Sequence, residues 1–277
     1  MVIIDGKYVS DVIKEDIKQD IIENKLNPSL TVIQVGDNES SNIYIKNKEK
    51  ACLKVGIKFN LLKYLTITED ELIENIKKLN SDKNVNGIIV QLPLPESFNT
   101  NKILNAINPI KDVDGLTSIN VGNLLLGNDA LVSCTPLGII KLLKYYNINL
   151  EGKKVTIIGR SNLVGKPLIS LLLKENASVS VCHSKTLNIK DYTLDSDVII
   201  VAVGKPKFLK EDYVKENSII IDVGINKIDN KIYGDVDFEL VSQKSSYITP
   251  VPKGVGPMTI AMLLNNVVKA YRMQNEN

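Results

Sequence analysis

Cysteine is scarce and poorly placed for bridging: Cys52, Cys134 and Cys182 are odd in number, widely separated and lack a C-x-x-C pair. That excludes a disulfide scaffold and a thiolate metal site, and it suits a reducing compartment. Arginine is scarcer, with only Arg160 and Arg272 among 34 basic residues, so an arginine inside a glycine loop stands out. Charge of one sign is lacking too. The net charge of +2 offers no footprint for nucleic acid or a membrane surface. Apolar runs stop at about six residues, too short to span a bilayer. The start, MVIIDGKYVSDVIKEDI, has no basic leader ahead of an apolar stretch, so the expected location is the cytoplasm. Repeats and low-complexity tracts are absent as well.

What is present is an ordinary globular composition, 44% hydrophobic and 24% charged, over 277 residues. That length buries a sizeable core and accommodates two domains. Short β-rich runs alternate with helical patterns. LTVIQVG (30–36), FNLLKYL (59–65) and VNGIIVQLPLP (85–95) read as strands, the last running into a proline-rich stop. Between them lie a helix over 42–55, with Ser40 and Ser41 as N-cap candidates, and a helix over 68–80. In the latter Thr68 caps and Glu71 completes a capping box. A second set follows a loop, SCTPLG (133–138), and the helix GIIKLLKYY. Its strands are KKVTIIG (153–159), SVSVCHS (178–184), SDVIIVAVG (196–204) and NSIIIDVG (217–224). Such continuous apolar strands belong in parallel sheets covered on both faces. The fold class expected is therefore α/β in two domains, divided within 115–135, with a last helix over about 257–272 able to pack on either.

Within the first helix, Tyr44, Lys48, Ala51, Cys52 and Val55 fall on one side, and Lys46, Lys50 and Lys54 fall opposite. Lys48 is thus the odd lysine. It either snorkels past an apolar stripe to water or serves as a partly desolvated amine poised to move protons.

The segment KKVTIIGRSNLVGKP joins a buried strand, a glycine turn at Gly159 and a helix N-terminus near Gly165, with Pro167 in the first turn. Backbone N–H groups and the helix dipole make such a junction a cradle for pyrophosphate, although the spacing is not G-x-G-x-x-G. The next strand ends in Cys182-His183-Ser184-Lys185, without the carboxylate that would hold a ribose 2′-hydroxyl. Arg160, Ser161 and Ser184 suit a 2′-phosphate instead, so NADP is expected over NAD. His183, the only histidine, reads as a packing or nucleotide-edge residue.

Taken together, SNIYIKNK, VQLPLP, KDVDGLTSIN, CTPLG, GRSNLVGKP, CHSKT, IDVGIN, GDVDF and TPVPKGVGPMT resemble the bifunctional methylenetetrahydrofolate dehydrogenase/methenyltetrahydrofolate cyclohydrolase family, along essentially the whole chain. The resemblance implies a catalytic, folate-binding domain over 1–118 and a Rossmann-like NADP-binding domain over 119–277, with a cleft between them. It implies NADP-linked oxidation of 5,10-methylenetetrahydrofolate to the methenyl cation and hydrolysis to 10-formyltetrahydrofolate. Such an enzyme serves the one-carbon supply of purine, methionine and histidine synthesis. The family's catalytic lysine falls on Lys48, its tyrosine on Tyr44, its glutamine on Gln91 and its folate-anchoring aspartate on Asp114. Its cofactor contacts fall on Gly159, Arg160, Ser161, Ser184 and Ile225. No metal is implied, and the family's members are homodimers.

The residues fit that chemistry. Hydrolysis must move protons from water to a departing nitrogen, which a lysine amine can carry. Gln91 sits where a strand ends, the usual place for functional groups in a parallel sheet. Asp114 is either a turn residue of D-V-D-G or a carboxylate accepting two N–H bonds from the pterin edge; Asp112 is assigned to the turn. Asp235 and Asp237 of GDVDF are read as structural. Lys253 and Ser133 depart from the family pattern, which usually has glycine and proline there. A short-chain dehydrogenase also uses Y-x-x-x-K, but after its nucleotide fold, whereas Tyr44 and Lys48 precede Gly159 by more than a hundred residues. A catalytically silent folate- or nucleotide-binding sensor or scaffold is the alternative from another class, and joint retention of Lys48, Gln91 and Asp114 argues against it.

Overall fold

A computed structural model describes residues 1–229 and 231–275, apart from the side chain of Ser40. The chain forms β1 (Val2–Ile3), α1 (Gly6–Glu23), β2 (Ser29–Val35), α2 (Glu39–Val55), β3 (Lys58–Tyr64), α3 (Glu69–Ser81) and β4 (Gly87–Val90). It continues through α4 (Thr100–Leu104), α5 (Ser118–Leu126), α6 (Cys134–Tyr145), β5 (Lys154–Ile158), α7 (Gly165–Lys174), β6 (Ser178–Cys182), α8 (Lys190–Thr193) and β7 (Val198–Val201). Last come β8 (Ser218–Asp222), β9 (Asn226–Ile228), β10 (Lys231–Tyr233), α9 (Phe238–Val241), β11 (Ser245–Ile248) and α10 (Val255–Asn275).

These elements sort into two compact units. One comprises Val12–Cys134 and Ile260–Asn277, and the other Met1–Asp11 and Thr135–Thr259. Neither is continuous in sequence, unlike a linear cut at 118/119. The reason is visible in pairing and packing: β1 adds in parallel to β11, and the end of α10 belongs with the first hundred residues.

The first unit carries a three-stranded parallel sheet in the order β3-β2-β4. Central β2 and β4 are buried along almost their whole length, as their apolar runs require. Edge strand β3 instead exposes Lys58, Asn60, Leu61 and Lys63, and the charged and polar ones discourage further strand addition. Ile33, Val35, Leu72, Ile76, Ile88 and Val90 join Ile103 and Ile107 in one core. Each such side chain contributes about 1.5–3 kcal/mol by leaving water. The capping box of Thr68 and Glu71 forms as expected. The cap of α2 is Asn38, whose side chain accepts from Ser41 N; Ser41 lies inside the helix and is buried, and the Ser40 side chain lies outside the described residues.

The second unit carries a six-stranded sheet in the order β1-β11-β8-β7-β5-β6, parallel throughout. From β5 the chain goes out to β6 on one side and returns to β7 on the other. That reversal is the switch point where ligands settle on open α/β sheets. The segment SCTPLG is not a loop. Helix α6 starts at Cys134, and Pro136 is tolerated because a first-turn N–H needs no helical partner. Among the described residues no helix is long and apolar enough to cross a membrane.

Candidate active site

In the three-stranded unit, α2 presents Ser41, Ile45, Cys52 and Val55 to the interior, a regular stripe of three- and four-residue steps. Lys48 falls in that stripe and is only partly exposed, while Lys46, Lys50 and Lys54 face solvent. Its Nζ donates to Gln91 Oε1 at 3.0 Å. Tyr44 departs from the expected stripe: it is 49% exposed, because Ile45 takes the inward position at that turn. It stands on the stripe's edge, one turn before Lys48.

Gln91 follows the last residue of β4, and its N–H donates to Ile33 O at 2.8 Å, extending the ladder by one residue. Its amide Nε2 donates to Leu92 O at 2.8 Å, which leaves Oε1 facing the lysine. A carboxamide used at both ends has little rotational freedom.

Asp114 sits in a turn held from several sides. Asp112, 1% exposed, accepts from Thr117 N at 2.8 Å and Asn120 Nδ2 at 2.9 Å, a wholly internal role. Buried Lys111 donates to the Leu79 and Asp82 carbonyls at the end of α3, and burial lowers its pKa. Asn266 of α10 donates to the Val113 and Val132 carbonyls, both at 2.8 Å. Gly115 has φ +65°, and a Cβ there would collide with the backbone of Val132 and Ser133. The turn that carries the Asp114 carboxyl is thereby fixed by its neighbours, and Oδ1 of that carboxyl accepts only a weak bond from the Cys134 thiol. Burial pushes its pKa up; the Lys48 charge pulls it down, Asp112 raises it, and the Cys134 thiol, 3.9 Å from Oδ1, lowers it slightly. Lys48, Gln91 and Asp114 are thus gathered in one unit, polar groups in a neighbourhood of reduced hydration.

Cys134 and Asn266 are contributors that the sequence reading missed. Burial drives the Cys134 thiol well above its ordinary pKa, so it is a packing group and hydrogen-bond donor there. No spacing rule links it to Asp114. Asn266 had a signal, an amide within the apolar run of α10, and it is 1% exposed.

In the six-stranded unit, Gly159 ends β5 with φ +130°, and a Cβ would strike the Ala202 carbonyl beyond β7. Gly165 opens α7 against the Gly159 carbonyl with equal closeness. Ser161 Oγ accepts from Val164 N at 3.1 Å and shapes the turn. Lys166 N donates to Ser161 O at 3.0 Å and Pro167 has no N–H, so among the described residues Gly165 supplies the first-turn amide of α7 left to meet an anion, at the positive end of the helix dipole. Arg160, Ser161 and Ser184 are exposed beside it, and Ile225 is 52% exposed after β8. His183 Nδ1 accepts from Lys185 N at 3.2 Å, an internal turn contact. This set fits a dinucleotide: a tight glycine turn, a helix N-terminus at Gly165, and a β6 end without an acid. Among the described residues no group of three or more His, Cys, Asp or Glu is arranged to hold a metal ion.

Comparison with known proteins decides the kinship. Residues 4–114 match the catalytic domain of the tetrahydrofolate dehydrogenase/cyclohydrolase family, and residues 133–275 match its NAD(P)-binding domain. The chain belongs to this family. It is 50% identical to the bifunctional protein FolD of Oceanobacillus iheyensis, covering 99% of this chain and 98% of the relative. The crystal structure of the bifunctional FolD methylenetetrahydrofolate dehydrogenase/cyclohydrolase from Campylobacter jejuni superposes with TM-score 0.96 at 52% identity, covering 99% of each chain. The Trypanosoma brucei dehydrogenase-cyclohydrolase, complexed with NADP cofactor and inhibitor, does so with TM-score 0.93 at 32% identity, covering 99% and 98%. Against that family pattern, Ser133 is 5% exposed just before α6. Lys253 is exposed with φ +83°, a conformation glycine adopts freely and a lysine at a cost of about 1 kcal/mol.

Proposed function

We propose that this chain oxidises 5,10-methylenetetrahydrofolate to the 5,10-methenyl cation with NADP and hydrolyses that cation to 10-formyltetrahydrofolate. The observation that carries the reading is the 3.0 Å contact from Lys48 Nζ to Gln91 Oε1, in the same unit as a half-buried Asp114 carboxyl.

Lys48 is the proton carrier of hydrolysis. It takes a proton from the attacking water and returns one to the departing nitrogen. Gln91 aims the amine, since its own Nε2 is anchored on Leu92 O. Asp114 binds the pterin by accepting two N–H bonds from its aminopyrimidinone edge, a charge-assisted pairing worth more than a neutral one. Tyr44 offers an exposed ring one turn away for packing against that ring system. NADP, when bound, supplies the hydride acceptor. The protein's share of that step is alignment, with the Gly159 turn and the N-terminus of α7 at Gly165 holding the pyrophosphate and Arg160, Ser161 and Ser184 holding the 2′-phosphate. Ile225 provides an apolar surface beside the ring-bearing half.

A cytoplasmic homodimer completes the reading. Three free, buried cysteines support a reducing compartment, and kinship with the bifunctional relatives supports the dimer, which light scattering tests. Spectrophotometric assay of the purified protein with methylenetetrahydrofolate and NADP tests the function. Turnover through both steps is expected. Tight binding of folate and NADP without turnover would favour a sensor or scaffold.

A further inference from the structure

Two acids of the six-stranded unit that the chemistry leaves unused, Asp222 and Asp235, are buried, at 3% and 0% exposure. Among the described residues neither forms an ion pair. Every contact given for their carboxylates is an N–H donor. Asp235 Oδ2 accepts from Val203 N at 2.7 Å and Gly204 N at 2.9 Å, and Oδ1 accepts from Lys205 N at 2.9 Å and Asn226 Nδ2 at 2.9 Å. Asp222 Oδ1 accepts from Gly224 N and Asp235 N, both at 2.9 Å, and Oδ2 accepts from Val236 N at 3.0 Å.

Three consecutive backbone amides converging on one carboxylate form a nest, the same concavity that elsewhere takes a phosphate. Gly204, with φ +65°, gives the loop the left-handed turn a nest needs. Here the concavity lies just past the end of β7 and is filled from inside by Asp235. Through Asn226 and Asp222 the same network pins residues 224 and 226, on either side of Ile225. Gly224 is required for this, because a Cβ there would overlap the Asp235 carboxylate.

Position gives the network its meaning. A dinucleotide lies across the switch point, with its 2′-phosphate half over the β6 side of β5. The other half then lies over the ends of β7 and β8, where the 203–205 and 224–226 loops are. We propose that Asp235 is a positioning residue for the nicotinamide half of the cofactor. Its carboxylate fixes both loops that border that half, and it fills the β7 nest, which is thereby closed to a phosphate. Asp222 in turn fixes the backbone of Asp235 from below. This rests on the NADP-linked reading above.

Asp235→Asn tests it, because an asparagine cannot accept four N–H bonds, and its amide would meet donors. Hydrogen bonds to a charged acceptor are strong enough that kcat/KM for NADP should fall by at least about tenfold in the dehydrogenase assay. Cyclohydrolase turnover of methenyltetrahydrofolate, which uses no NADP, should stay within about twofold. Amide exchange at Val203, Gly204 and Lys205 should quicken. Equal loss of both activities in a folded variant, or an unchanged NADP response, overturns the assignment. Should Asp235→Asn fail to fold, Asn226→Ala removes a single donor. It should raise KM for NADP several-fold with cyclohydrolase intact, and no change, or parallel loss of both activities, would count against the proposal. A wild-type protein without either activity would instead refute the functional reading itself.

Discussion

The two candidate sites in this chain are built on opposite plans. In the three-stranded unit the working groups are side chains drawn below the surface: Lys48 in the buried stripe of α2, Gln91 anchored at both ends, and Asp114 in a turn braced by Asp112, Lys111 and Asn266. In the six-stranded unit the cradle is mostly backbone. Gly159, Gly165 and the N-terminus of α7 define it, while Arg160, Ser161 and Ser184 wait exposed at its margin. The difference follows from what each must do. Proton transfer needs an amine and an acceptor held in fixed geometry with little competing water. A dinucleotide brings its own charge and bulk, so main-chain amides suffice and the ligand completes the burial.

Substitutions should therefore hit the first site harder than the second. The largest effect expected is from Lys48→Ala: cyclohydrolase should fall by about a thousandfold or more in a protein that stays folded by circular dichroism. Near-native hydrolysis would remove the distinction between the sites. Asp114→Ala should come next, raising KM for folate about a hundredfold while KM for NADP moves little. Equal changes in both would place Asp114 in the scaffold.

The backbone-built unit has its own buried acids, and one of them, Asp222, sharpens the contrast because its effect is on stability. Burial pushes Asp222 up to about 7, with the Asp235 charge adding to the rise and three N–H bonds opposing it. The folded chain thus keeps a proton that the unfolded chain gives up near pH 4. The stability this group contributes is present at low pH and is lost as pH rises to about 7. It amounts to on the order of 2 kcal/mol between pH 5 and pH 7. Denaturant melts should therefore show wild type losing stability relative to Asp222→Asn as pH rises from about 5 to about 8; a constant difference would contradict the shift. Smallest is cofactor choice. NADP should exceed NAD in kcat/KM by about tenfold, or 1.4 kcal/mol, and Arg160→Ala should erase most of that margin. Parity in the wild type would show that the exposed side chains do not read the 2′-phosphate.

The contrast also explains what was legible from sequence. Continuous apolar strands such as TVIQV and VIIV announced parallel sheets, and the glycine turn after β5 announced the cradle, since both are local patterns. Lys48 betrayed itself by its phase on α2. Its partner Gln91 lies 43 positions away, and only the β2–β4 pairing brings it near. Cys134 and Asn266 reach Asp114's turn through tertiary packing alone, which no periodicity encodes. Helix α1 was unread although Val9, Ile13, Ile17 and Ile21 recur at every fourth position, because the charged residues between them mask that stripe. The SCTPLG segment misled for a related reason: Pro136 looks like a breaker, yet in a first turn it breaks nothing.

The central claim is that Lys48 and Gln91 act as one unit in hydrolysis, and a double-mutant cycle on cyclohydrolase kcat addresses it most directly. With Lys48→Ala, Gln91→Ala and the double variant measured together, the double variant should be no slower than Lys48→Ala alone. If the two losses simply multiply, the amide and the amine work independently and the contact between them carries no catalysis.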